Sequence, residues 1–223
     1  MQRGEGPCPW PPPHRGPEGC PLSPVATPPA NSIQPATLAD WRAWLDAHHY
    51  RSEGVWLVVH RKTSGRQVFT LDDAIEEALC FGWIDSRPAR LDAERTMLWF
   101  APRRPGTGWS KLNKDRVERL IAAGRMTEAG RRKVDAARGD GSWSKLDGVE
   151  ALEIPSDLRQ AFRRHPGARE RFSAFPRSVR RGILEWILQA RRPETRAKRV
   201  EETARLASRN ERANQWTRLR SGT

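Results

Sequence analysis

The chain has 223 residues, is 37% hydrophobic and 30% charged, and carries a formal net charge of +13. That length permits one large or two small domains, and the modest apolar share implies a compact core under a heavily solvated surface. No window approaches the ~18 continuous apolar residues of a membrane span, and the longest apolar run, Val55 to Val59, is only strand-sized.

Residues 1–36 are crowded with Pro and Gly and show no apolar periodicity. They cannot bury enough surface to offset chain entropy, so a disordered tail is expected. A signal peptide needs an apolar stretch, and PCPWPPPHRGPEGCP stands in its place. Export is therefore not expected, and a cytoplasmic location is.

Folded periodicity begins near Thr37. Thr37 caps a helix over 37–48, with Leu38, Trp41, Trp44 and Leu45 on one stripe. Residues 54–62 read as a strand ended by Ser64-Gly65. Thr70 opens a second helix with Asp73 as capping-box partner, and Gly82 is its left-handed stop. Trp83–Arg90 and Arg95–Ala101 are two strands joined by Asp92-Ala93-Glu94, a link short enough to force antiparallel pairing. After a loop rich in Pro and Gly, Ser110 caps a helix that buries Leu112, Val117, Leu120 and Ile121 and stops at Gly124. Thr127 caps another through Ala137. From Ile154 onward the pattern is helical, with starts at Ser156 or Asp157, after Pro166, at Pro176 and at Pro193. Val179, Ile183, Trp186, Ile187 and Ala190 form the face of the third, and Ala197, Val200, Ala204 and Ala207 that of the fourth.

The expected fold class is α+β, a small antiparallel sheet with helices followed by an all-α module. The expected parts are a tail at 1–36, an α+β domain at 37–150, a basic helical module at 151–209 and a frayed polar tail at 210–223.

Charge is unevenly spread. Residues 1–36 balance at two basic and two acidic, 37–150 carry 20 against 17, and 151–223 carry 18 against 8. Arg177, Arg180, Arg181, Arg191, Arg192, Arg196, Lys198 and Arg199 form the candidate polyanion-binding set, able to track phosphates without reading bases. Interleaved Glu194, Glu201 and Glu202 support the competing reading of salt bridges within the helices. Arg outnumbers Lys 34 to 6, which a GC-rich genome also produces.

No metal site or cofactor is expected. Cys8 and Cys20 flank His14 at a spacing that fits no compact ligand pattern. Cys80 lies at a helix C-terminus, where the dipole disfavours thiolate, so a buried structural thiol is expected rather than a nucleophile. Asp85 lacks the second carboxylate that much hydrolytic chemistry requires.

The best candidate site is residues 102–113, a strand, a Gly-rich loop and a helix start. It misses the phosphate-loop pattern, since Trp109 follows Gly108 and Ser110-Lys111 has the reverse order. A simpler anion site remains. Arg103, Arg104 and Lys111 surround the free N–H groups at Ser110, Asn113 lies in the first turn, and Trp109 is placed to stack on a base.

Several blocks together resemble the YdeI/OmpD-associated family, also called bacteriocin-protection proteins. They are Ala78-Leu79-Cys80-Phe81-Gly82-Trp83-Ile84-Asp85, Pro102-Arg103-Arg104, Trp109-Ser110-Lys111-Leu112-Asn113, Gly124-Arg125-Met126-Thr127, Asp140-Gly141 with Trp143, and Ala190 followed by Arg192-Pro193-Glu194-Thr195-Arg196. The resemblance runs from about Thr37 to Arg209. Ser86 and Gly108 depart from it, standing where Gly and Ser are usual. It implies an N-terminal domain of the YjbR-like and frataxin-like kind, a C-terminal helical module, and a role in resistance to bacteriocins or cationic peptides. Frataxin-like iron handling is weakened by the lack of an acidic ridge. Two readings stay open. One is a non-enzymatic stress or resistance protein acting through nucleic acid, a phosphorylated ligand or a protein partner. The other is a small-ligand-binding protein or enzyme using Trp83, Asp85, Arg103 and Trp109.

Overall fold

A computed structural model describes residues 27–214. Strand β1 is Ser32–Ile33, followed by helix α1 (Leu38–His48), strand β2 (Val55–His60) and a 3-10 turn at Lys62–Ser64. Helix α2 (Leu71–Cys80) leads into β3 (Trp83–Arg90) and β4 (Arg95–Pro102). Helices α3 (Lys111–Ala122), α4 (Glu128–Gly139), α5 (Asp147–Glu150), α6 (Ser156–Arg164), α7 (Ala168–Ala174), α8 (Arg177–Leu188) and α9 (Pro193–Ala207) complete the chain. The class is α+β, a four-stranded sheet in the order β1-β2-β4-β3 followed by helices.

Local hydrogen bonds set the starts of α1 and α2. Thr37 accepts from Asp40 N while the Asp40 carboxylate returns to Thr37 N, and Thr70 with Asp73 repeats the arrangement. Each box satisfies donors that a helix start leaves free. Gly82 takes φ +75°, so α2 ends and β3 begins within two residues.

β2 pairs antiparallel with β4, Trp56 opposite Trp99 and Val58 opposite Met97, and β3 pairs antiparallel with β4. An irregularity between Asp85 and Pro88 in β3 fits the missing N–H of Pro88. β1 runs parallel to β2, with Ser32 against Trp56 and Ile33 against Leu57, so the sheet is mixed rather than purely antiparallel. This strand also lies upstream of Thr37, inside the stretch that composition assigns to a tail. Two residues carry no readable alternation, and the pairing comes entirely from β2.

Two apolar clusters hold the chain. In the first, Trp41, Leu45, Ala74 and Ala78 of α1 and α2 meet Leu57, Val59, Leu98 and Phe100 from one face of the sheet. The second joins Leu158, Phe162, Phe172, Ile183, Ile187, Val200 and Ala204 of the later helices. Two periodicity assignments fail. Leu112 is 59% exposed. Ala197 faces solvent, and Leu184, which periodicity did not place on the α8 face, is buried with Ile183 and Ile187. Within the expected frayed end, Ala213 is enclosed in the second cluster. Among the described residues, no helix is long and apolar enough to cross a membrane.

Candidate anion site at the Arg103 and Trp109 corner

β4 ends at Pro102, and Arg103 N donates to Gly82 O at 3.0 Å, tying the residue to the start of β3. This anchor turns the Arg103 side chain inward, where only 3% of the residue is exposed. Its guanidinium carbon lies 3.7 Å from the centroid of the Trp109 ring, a cation–π contact. Nη2 donates to Gly108 O at 2.8 Å. Nε and Nη1 have no hydrogen-bond partner among the described residues, and neither does the indole Nε1 of Trp109, itself 1% exposed. Burial pulls the Arg103 pKa down to about 10, opposed by the charge of Asp85, so the group remains cationic at neutral pH.

Leaving such donors unpaired in a dry environment costs several kcal/mol, of order 1–3 per group and more where charge is involved. Both residues line a cavity of about 70 Å³, walled also by Arg104, Thr107, Lys133, Ser142 and Asp140, whose carboxylate accepts from Gly106 N and Ser142 N. At ~30 Å³ per water, that space accepts a group the size of a phosphate or carboxylate.

The structure divides the sequence-derived site residues. Arg103 and Trp109 converge on the cavity, and Arg104 lines it while remaining exposed. Asp85 is half-buried opposite Phe100 and reaches Arg103 through its field. Trp83 is fully enclosed, and its Nε1 donates to His49 O at 3.1 Å, so it presents no face to a ligand. Trp109, expected to stack on a base, is shut in between Arg103 and Trp143, whose ring centroid lies 5.1 Å away.

The α3 start is also occupied from within. Ser110 Oγ accepts from Asn113 N at 3.3 Å, and Lys111 N points to Glu150 Oε1 at 3.5 Å. Lys111 Nζ pairs with Asp115 at 2.9 Å, and Asn113 Oδ1 accepts from Arg116 at 3.3 Å. Glu150 is thus the anion at this helix terminus. Hydrogen bonding from Arg181, with smaller help from Lys111 N, holds its carboxyl below the usual value. A Cβ at Gly108 would lie 2.8 Å from Leu146 Cγ, so a side chain there requires Leu146 to move.

In the helical module, Arg181 bridges Glu150 and Glu185, both at 2.9 Å, and Arg196 binds Asp157 at 2.7 Å. Arg177 donates to Glu150 O, and Arg199 donates to Trp186 O and lies over its ring. Arg180 keeps a buried, unpartnered Nε. Arg191, Arg192 and Lys198 are exposed, with no ion pair among the described residues. The eight cations therefore do not form one uncommitted face.

Cys80 is enclosed in the first cluster, and burial pushes its thiol pKa up. Cys8, His14 and Cys20 lie outside the described residues. Among the described residues, no group of three or more His, Cys, Asp or Glu is placed to hold a metal ion.

Residues 151–210 match the family model described as Bacteriocin-protection, YdeI or OmpD-Associated. Residues 33–133 match a second model, a Domain of unknown function (DUF8412). The bacteriocin-protection match thus covers the helical module, while the sheet and the Arg103 corner fall within the other segment. No curated protein and no solved structure matches the chain.

Proposed function

We propose, for a chain whose residues 151–210 match the family model described as Bacteriocin-protection, YdeI or OmpD-Associated, that it acts in a bacteriocin-protection-like resistance role in the cytoplasm by binding rather than by catalysis. Its ligand carries a phosphate or carboxylate, which enters the corner at Arg103 and Trp109. The observation that carries this reading is the enclosed guanidinium of Arg103, with two donors unpaired beside the unpaired indole N–H of Trp109. An oxyanion accepts from all three groups and neutralises a charge that the fold has already desolvated.

Calorimetric titration with inorganic phosphate and with acetate tests it. Saturable binding that disappears in a folded Arg103→Met variant is the expected result. Equal heats for wild type and variant, or no binding of either anion in the millimolar range, would falsify the site.

A second reading, phosphate tracking by nucleic acid along α8 and α9, draws on the exposed cations Arg191, Arg192 and Lys198. It has less support, because Arg181 and Arg196 are held in ion pairs and Arg177 and Arg199 donate to backbone carbonyls.

A further inference from the structure

The corner does not end at the small cavity. Arg103, Arg104 and Pro105 also line a second, larger groove of about 680 Å³. Trp99, Ser52, Glu53 and Gly54 are among its other lining residues. Clefts of ~300–1,000 Å³ are the size that small organic ligands occupy.

Strand alternation explains why this indole is available. Leu98 and Phe100 turn into the core, so Trp99 between them projects from the opposite face of the sheet. There it meets Trp56 edge-on, with centroids 5.2 Å apart, and the Arg87 guanidinium lies 5.6 Å from its ring centroid. These contacts hold the indole in place and leave it half-buried. Gly54 is part of the same construction. A Cβ there would fall 2.4 Å from Trp99 Cζ2 and 2.5 Å from Phe100 O, so any side chain would displace the ring from the groove wall.

The groove is thus lined by an indole, by the exposed Arg104 guanidinium, which is free of any ion pair among the described residues, and by Arg103 behind it, while the acidic Glu53 in the same lining pairs with Arg51 at 3.7 Å. We infer that the anion bound at Arg103 and Arg104 belongs to an aromatic phosphate or carboxylate, of which a nucleoside monophosphate is one source, and that its ring rests on Trp99. This rests on the anion reading of the corner and adds the class of molecule to it. Stacking on an aromatic side chain is worth enough to raise affinity about tenfold over the bare anion.

The test titrates the full chain with adenosine 5′-monophosphate, phenyl phosphate, adenosine and inorganic phosphate. One or both aromatic phosphates are expected to bind about tenfold more tightly than inorganic phosphate. A gain in both identifies the ring alone as the recognised element, and a gain in the nucleotide alone identifies the nucleoside. Trp99→Leu should abolish the gain and keep phosphate binding, while Trp99→Phe retains it. Ser52→Trp, at an exposed lining position, should block the aromatic ligands without disturbing the fold. Equal affinity for phosphate and the aromatic phosphates overturns this inference and leaves the anion site standing. So does an aromatic gain that survives both Trp99→Leu and Ser52→Trp. Failure of every ligand, inorganic phosphate included, sinks the anion reading itself.

Discussion

In the helical module, positive charge is abundant, and part of it is committed to ion pairs. Arg181 is shared between Glu150 and Glu185, and Arg196 is closed by Asp157. The sheet half carries far less net charge, yet it encloses one guanidinium, that of Arg103, with two donors unmet. The difference lies in solvation. An arginine at a helix surface finds carboxylates three or four residues away or across a shallow interface, and water covers the rest. An arginine drawn under a loop by its own strand has only what the fold brings to it. Unmet hydrogen-bonding capacity therefore points to a ligand more directly than net charge does.

The largest expected effect comes from removing the floor of the corner. Trp109→Ala should cost about 3–5 kcal/mol in chemical denaturation, as for other enclosed large side chains. Phosphate binding should vanish with it under conditions where the variant is still folded. Persistent binding would separate the ligand site from this corner.

Next come two paired arginine replacements. Arg181→Met strips Glu150 of its main partner and should cost about 1–3 kcal/mol, because a partly buried carboxylate is left behind. Arg103→Met removes an unpaired charge and should change stability by less than about 1 kcal/mol, since lost cation–π and hydrogen-bond contacts offset relief of desolvation. Comparable losses in the two variants would erase the contrast.

The third prediction concerns acid. The folded-state pKa of Glu150 lies below the ordinary 4.5, with the Arg181 hydrogen bond as the largest cause. Its contribution is therefore present above about pH 4.5 and is lost as pH falls through the lower folded value. Melts of wild type and Glu150→Gln between pH 6 and pH 3 should show a gap in Tm that closes toward the acid end. A gap that widens with acidification would contradict the sign.

The smallest effect concerns nucleic acid. With Arg191, Arg192 and Lys198 the exposed members of the candidate set that have no side-chain partner among the described residues, duplex DNA binding through that set should show a log–log salt slope of about −3, from roughly 0.9 per phosphate contact. A slope near −7 would mean that the ion pairs of α8 and α9 open on binding and that the helical module is the principal anion surface.

Much of the fold was readable because short-range hydrogen bonds write it locally. Thr37 with Asp40 and Thr70 with Asp73 lie three residues apart, and Ser110 and Thr127 cap the helices they precede. Of the candidate site, Arg103, Arg104 and Trp109 were legible as one cluster, but their burial was not. The α3 start looked open in sequence because the carboxylate that fills it, Glu150, lies 39 residues beyond Lys111. Trp99 falls with Trp83 and Trp109 within twenty-seven residues, a cluster that reads as either a packing corner or a binding surface, and strand alternation places it on the face away from Leu98 and Phe100. A tryptophan at an outward position of a strand was the signal.

By itself, the sequence determined the α+β class, the spans of the major helices and strands, the antiparallel β3–β4 pair and the position of the cationic loop. Each of those follows from periodicity, caps and turns acting over a few residues. Only the tertiary structure decided that β1 joins the sheet in parallel, that Glu150 closes the α3 terminus, and that Arg103 is left with two unmet donors beside the unmet indole N–H of Trp109. Those outcomes depend on which distant groups share a desolvated space, and local spacing carries no record of that.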